Sequence, residues 1–332
     1  MSKRNKILVT GGAGFIGSHV ASELVNLGHQ VTVLDDLSGG FRENVNPSAQ
    51  FIEGSITNHE FISKLFAERQ FDFVYHLAAY AAEGLSHFIK RFNYENNLIG
   101  SVNLINASVN NNIKGFVFTS SIAVYGAGQL PLREDTVPQP EDSYGIAKYA
   151  VEQELKVSHE MFGLPHIIFR PHNVFGEKQN IADKYRNVIG IFMNNLMQGK
   201  PMAVFGDGEQ QRAFTYISDV ARTIASSIFE PKAYGQVFNI GGDEVMTVNK
   251  LAEIVGGAMG VEFKIEHLPP RNEVKNAYSD HSKVKEIFGY RNTVSIEEGI
   301  KRMAAWALRV GSKKSRDFEN IEVKKNFPVG WG

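Results

Sequence analysis

The sequence predicts an α/β protein, a doubly wound parallel sheet followed by a smaller mixed α/β lobe. Three observations predict it. Short apolar runs alternate with helical patterns from Lys6 to Phe169. A glycine-rich turn sits between the first run and the first helical pattern. Beyond Arg170 prolines break the rhythm into shorter pieces. Strands alternating with helices at this spacing imply a parallel sheet covered on both faces.

Lys6–Thr10 is an apolar run closed by glycines and reads as a buried strand. From Phe15 to Leu27 the apolar residues fall at helical spacing, with Gly28 as the stop. Gln30–Leu34 is a second strand, ending at Asp35 and Asp36. The rhythm continues with a strand near Phe51, a helix over His59–Glu68 and a strand over Phe71–His76. A long helical stretch then lies around Phe92–Val109, followed by a strand over Gly115–Thr119, a helix from about Tyr144 to Met161 and a strand over His166–Phe169. Phe214–Ile240 again reads strand–helix–strand and returns to the main sheet. The expected organisation is therefore a dinucleotide-binding domain over 1–170, joined again by 213–242. A substrate lobe follows over 171–212 and 243–310, and 311–332 form a polar tail with no assigned role.

Composition narrows the function. With 35 basic and 36 acidic residues the net charge is −1, which leaves no electrostatic footprint for nucleic acid or an anionic membrane. The chain has no cysteine, so a disulfide scaffold, a zinc-thiolate site and a cysteine nucleophile are excluded. No metal site is expected. No apolar stretch is long enough to span a bilayer, and the start of the chain is unlike a signal peptide. A soluble, cytoplasmic protein is the expectation.

Gly11, Gly14 and Gly17 form the turn between the first strand and helix. Backbone there must bend sharply and approach a pyrophosphate closely, where side chains would obstruct it. The helix beginning at Phe15 and Ile16 aims its N-terminal amides at the phosphates. The competing reading is a plain tight turn. Asp35 lies 18 residues after Gly17, where a carboxylate accepts adenosine ribose hydroxyls and repels the extra phosphate of NADP. NAD is the expected cofactor. Asp36 reads equally as a cofactor contact or a solvated loop acid.

Tyr144 and Lys148, at i and i+4, share one helical face. A free tyrosine titrates near 10, and a neighbouring ammonium lowers it toward the range of a useful base. Lys148 is also placed to hold the nicotinamide ribose. Ser121 follows the strand end at Thr119, on the carboxyl edge of the sheet where ligands of such folds bind. Its hydroxyl is suited to hold the reacting oxygen.

With these pieces assembled, the chain resembles the extended short-chain dehydrogenase/reductases, specifically the nucleotide-sugar epimerase/dehydratase family, from about Lys6 to Trp306. The resemblance implies a Rossmann-type fold and a homodimer. It also implies that Leu77, Ala78 and Ala79 pass under the nicotinamide, that Asn97 lies near it, and that Ser55 and Ile56 flank the adenine. Ser55 stands where the family usually has an acid. Asn173 in Arg170-Pro171-His172-Asn173 corresponds to the asparagine at the substrate diphosphate. Arg212, Arg271 and Glu273 correspond to residues that grip the nucleotide. Asn97 and Asn173 read alternatively as caps or turn residues, and both arginines as surface charges.

The same resemblance bears on the reaction. Dehydratases of the family carry an Asp-Glu pair after the serine or threonine of the fifth-strand motif; here Ile122 and Ala123 stand there. The 3,5-epimerizing relatives need a cysteine, and there is none. What remains is a UDP-sugar 4-epimerase working through a transient 4-keto sugar, with Tyr144 as base. Ala277 falls where a small residue would admit an N-acetyl group, or is an indifferent loop residue. A UDP-uronate 4-epimerase, a net sugar-nucleotide reductase or dehydrogenase, and a catalytically dead NAD-binding sensor are the alternatives.

Overall fold

A computed structural model describes residues 4–128, 130–186, 188–270, 276–315, 317–328 and 331. Its centre is a seven-stranded, wholly parallel sheet. In chain order the first strands and helices are β1 (Lys6–Thr10), α1 (Phe15–Asn26), β2 (Gln30–Asp35), β3 (Gln50–Glu53), α2 (His59–Arg69) and β4 (Phe73–His76). Next come α3 (Glu83–Ser86), α4 (Lys90–Tyr94), α5 (Gly100–Asn110), β5 (Gly115–Thr119), α6 (Ser143–Phe162) and β6 (His166–Pro171). The sheet runs β3-β2-β1-β4-β5-β6 and is completed beside β6 by β11 (Gln236–Ile240).

Alternation along each strand decides which helices cover which face. Ile7, Val9, Val31, Val33, Val117 and Phe169 point to the face covered by α1. Leu8, Leu34, Val74, Phe116 and Ile168 point to the other, covered by α2, α5 and α6 through Ile62, Leu104 and Val151. Every central strand is apolar on both sides, as expected of a parallel sheet buried twice.

The stretch before β5 is helical from Lys90 to Asn110, as the sequence predicts, with one irregularity that the pattern does not show. Between α4 and α5 the residues Glu95–Ile99 form a π-helical turn. Such turns insert an extra residue and are invisible to a 3.6-residue periodicity.

After β6 come β7 (Val174–Phe175), α7 (Val188–Met197), β8 (Met202–Phe205), β9 (Gln211–Ala213), β10 (Thr215–Tyr216) and α8 (Ile217–Ser226). β12 (Val245–Thr247), α9 (Val248–Met259), β13 (Ile265–Leu268), β14 (Asn276–Ala277), α10 (Ser282–Phe288) and α11 (Ile296–Val310) follow β11. β8 pairs with β13, and β9 is flanked by β12 and β14. α8 packs beside α1 on the main sheet, while α7, α9 and α11 form a second layer. One apolar cluster continues from Ile7 and Val33 through Ile217 and Ile224 to Leu251, Ile300 and Met303. The second lobe therefore shares its core with the sheet. Among the described residues no helix is long and apolar enough to cross a membrane.

Candidate active site

A cavity of about 1670 Å³ lies along the carboxyl ends of the sheet strands and under the second lobe. Its first wall is the turn after β1. Gly11 adopts φ +69, and a Cβ on Gly17 would sit 2.1 Å from the Gly11 carbonyl oxygen. Only glycine lets α1 start that close to the loop. The first turn of α1 carries no acidic side chain, and its N-cap Gly14 gives no side-chain cap. Its amides are thus available to an anion.

Asp35 closes β2 and faces the same space. Its carboxylate accepts from the amides of Ala13 at 3.0 Å and Leu37 at 2.9 Å. Burial raises its pKa, opposed by those two amides. An ionised carboxylate keeps further lone pairs for a ligand's hydroxyls. Asp36 also borders the cavity but folds into a local turn, accepting from the amide and hydroxyl of Ser38. Ile56 lines the cavity and is buried. Ser55 does not reach it: its hydroxyl turns to Thr57 at 2.9 Å.

Leu77, Ala78 and Ala79 form the floor. Asn97 is not in the wall. It is a buried strap instead, accepting from the Tyr80 amide at 2.8 Å and donating to the Tyr80 carbonyl at 3.0 Å and to Asn93 at 2.7 Å. Asn93 then donates to the carbonyl of Ser143 at 2.7 Å. The floor loop and the first turn of α6 are thus tied together. Its neighbour Asn96 lines the cavity.

α6 begins at Asp142, whose side chain caps the amide of Gly145 at 2.8 Å. Here too glycine permits a close approach, since a Cβ on Gly145 would lie 2.5 Å from the carbonyl oxygen of Ala123. That approach brings Tyr144 to Ser121. Both residues line the cavity, near enough for the Ser121 hydroxyl to lower the phenol's pKa. Ser121 also accepts from the Ala123 amide at 3.1 Å. The Lys148 ammonium lies 5.8 Å from the centre of the Tyr144 ring and donates to the Thr119 carbonyl at 2.9 Å. Burial pushes the phenol above its ordinary value, with Glu83 adding to the rise and Ser121 opposing it, so the lowering by Lys148 that the sequence predicts is not what this environment gives. Burial lowers Lys148 to about 7, with the Glu152 carboxylate opposing the fall.

The opposite end of the cavity is built from the second lobe. Arg212 on β9 stands in register with Ala277 on β14, and both line the space. Asn173, with φ 41, donates to the Ala213 carbonyl at 3.0 Å and lines the same corner. Arg271 and Glu273 lie outside the described residues. Sequence reasoning missed His172, Arg186, Tyr80 and Trp331, all in the wall. His172 was one residue from a motif asparagine; its ring nitrogen lies 2.9 Å from that of His281, which bonds Asp243. Nothing local in the sequence marks the other three.

Residues 7–241 match the model of the NAD dependent epimerase/dehydratase family. The chain belongs to that family. Members of this family use NAD, and the close-packed cradle at Gly11 and Gly17 with Asp35 beyond it fits that group. A putative UDP-glucose 4-epimerase of Methanocaldococcus jannaschii is 32% identical, over 90% of this chain and 97% of its own. A UDP-glucuronate 4-epimerase of Thermodesulfobacterium geofontis is 31% identical, over 97% and 99%. Among solved structures, the UDP-glucose 4-epimerase of Thermotoga maritima with UDP-glucose superposes with a TM-score of 0.88. It is 35% identical and covers 92% of this chain and 99% of its own. This epimerase/dehydratase chain is thus a member of a group that acts on nucleotide sugars.

Proposed function

We propose that this chain is an NAD-dependent UDP-sugar 4-epimerase of the UDP-glucose/UDP-galactose or UDP-N-acetylhexosamine type. The observation that carries the reading is the convergence of Tyr144, Ser121 and Lys148 on one wall, with Ile122 and Ala123 in the positions where relatives that dehydrate carry acids. The site so arranged moves one proton and has no side chain at those positions to remove a second.

Gly11, Gly14, Phe15, Ile16 and Gly17 would hold the cofactor's pyrophosphate, Asp35 its adenosine ribose, and Leu77, Ala78 and Ala79 its nicotinamide. Bound NAD would supply a hydride acceptor that returns what it takes. Tyr144 would take the proton of the sugar 4-hydroxyl while Ser121 holds the same oxygen. Lys148 would keep the phenolate charge balanced and the nicotinamide ribose in place. Arg212 and Asn173 would grip the nucleotide diphosphate, so that the 4-keto sugar turns about a fixed anchor and is reduced on its other face. Ala277 beside Arg212 leaves room for an N-acetyl group.

The test is to incubate the purified protein with UDP-glucose, UDP-N-acetylglucosamine and UDP-glucuronate and follow products by NMR. A 4-epimer without release of stoichiometric NADH is expected. Stoichiometric NADH, or no 4-epimer from any of them, would overturn the reading. Turnover of UDP-glucuronate alone would favour the uronate reading, which the near-complete span of the T. geofontis relative supports.

The same reading makes the protein a cytoplasmic homodimer. Ile146 and Val157 on α6, 43% and 49% exposed, and Ile99 at 50%, present apolar surface that a second copy would cover. Sedimentation as a monomer at micromolar concentration would refute this.

A further inference from the structure

The segment after α11 is polar in composition, yet its described residues lie against the cavity. Asn194 on α7 holds its start, donating to the Lys313 carbonyl and accepting from the Lys313 amide, both at 2.9 Å. Lys184 pairs with Asp317. The Glu322 carboxylate accepts from the amides of Arg91 at 2.7 Å and Phe92 at 2.9 Å, and so caps the first turn of α4. The Tyr185 hydroxyl accepts from the Phe318 amide at 3.0 Å and donates to the Trp331 carbonyl at 2.9 Å. Around these bonds Phe318, Phe327 and Trp331 pack edge-on against Phe88, Phe92 and Tyr185.

Trp331 is the buried end of this cluster. Its indole reaches to 2.9 Å from the place a Cβ on Gly84 would take. Gly84 lies on α3, and two residues on, the Ser86 hydroxyl accepts from the Tyr144 amide at 3.1 Å. Pro328 and Trp331 line the cavity together with Glu83 and His87 of the α3 segment. The tail therefore meets the cavity beside Tyr144, away from the corner of Arg212, Asn173 and Ala277.

We propose that this tail roofs the sugar subsite and that Trp331 is a specificity-determining residue for the hexose of a UDP-sugar; this rests on the reading of Tyr144 as the group at the reacting carbon. A flat indole suits the C–H face of a pyranose, and a fixed aromatic wall limits the bulk that the sugar ring can carry. The uridine end, at the far side, does not touch it.

The chain has two tryptophans, so Trp306→Phe leaves Trp331 as the sole indole reporter. Emission of that variant is expected to change on adding UDP-glucose and to stay unchanged on adding UDP, with binding of both ligands followed by calorimetry. Bound UDP-glucose with silent emission, or an equal response to UDP, would overturn the proposal. Absence of heat with any UDP-sugar would overturn it together with the reading of the site beneath it. In a Trp331→Ala variant the KM for UDP-glucose is expected to rise about ten-fold with the inhibition constant of UDP unchanged. A parallel rise in both constants, or in neither, would count against the roof. Trp331→Phe should recover most of the loss.

Discussion

Lys148 and Glu152 stand one turn apart on α6, both buried, and the carboxylate of the second supports the positive charge of the first. Glu152 is itself held by Arg170, which donates to both of its oxygens, and by the hydroxyl of Ser120. Arg170 in turn lies 4.6 Å from the centre of the Tyr125 ring. The proposed proton-transfer group thus rests on a buried ion pair. Removing one member leaves the other charge uncompensated, at a cost of about 3–5 kcal/mol. Glu152→Gln is expected to lower stability by that amount in urea titrations. The double variant Glu152→Met with Arg170→Met should lose less than the sum of the singles.

Lys148 also predicts how stability depends on pH. An unfolded lysine titrates near 10.4, while burial in the fold lowers this one to about 7. Between those values the unfolded chain binds the extra proton, so this group's contribution is full above the unfolded pKa and is lost as pH falls to the folded one. Stability should rise from pH 7 toward 10 by at most about 1.4 kcal/mol per pH unit from this group. Urea titrations at pH 7, 8 and 9 should show a shallower rise in Lys148→Met; an unchanged slope would refute the assignment.

The cradle makes a sharper structural demand. A methyl on residue 17 would collide with the Gly11 carbonyl oxygen, 2.1 Å away, and backbone cannot yield there cheaply. Gly17→Ala should lose about 1–3 kcal/mol of stability. It should also lose NAD, which absorbance of the supernatant after denaturation would measure. Retention of stoichiometric NAD would argue against the pyrophosphate being seated at this turn.

Tyr144→Phe keeps the ring in the cavity wall and removes the hydroxyl proposed to take the sugar's proton. General acid–base catalysis is worth about 10²–10⁴-fold, so kcat should fall by at least 100-fold while NAD content and melting temperature stay near the parent's. A fall of only a few-fold, measured by NMR of the 4-epimer, would remove Tyr144 from the chemistry.

Much of the fold was legible because the central strands are short apolar runs bounded by glycine or acid. β1 and β5 begin and end where their runs do. Tyr144, Lys148 and Ser121 were legible because their relation is set within one helix and one strand end, by spacing alone. Two departures have physical causes. Asn97 straps the Tyr80 loop while Asn96 borders the cavity, and both lie in a π-helical turn whose residue spacing differs from the 3.6 per turn that a sequence pattern assumes. The tail was opaque because its polar sequence has no periodicity. Phe318, Phe327 and Trp331 find their partners near Phe88 and Tyr185, which are remote in the chain.

The π-helical turn also has an evolutionary and engineering consequence. A π-helical turn takes up one residue more than an α-helical turn, so deleting one residue from Glu95–Ile99 would regularise the hydrogen bonding while α4 and α5 keep their relative phase. Asn93 would keep its bond to the Ser143 carbonyl, and the change would fall on the residues of the turn itself, Asn96 and Asn97 among them. At this one stretch a shortened chain would gain a regular helix and lose the arrangement in which Asn97 straps the Tyr80 loop while Asn96 borders the cavity.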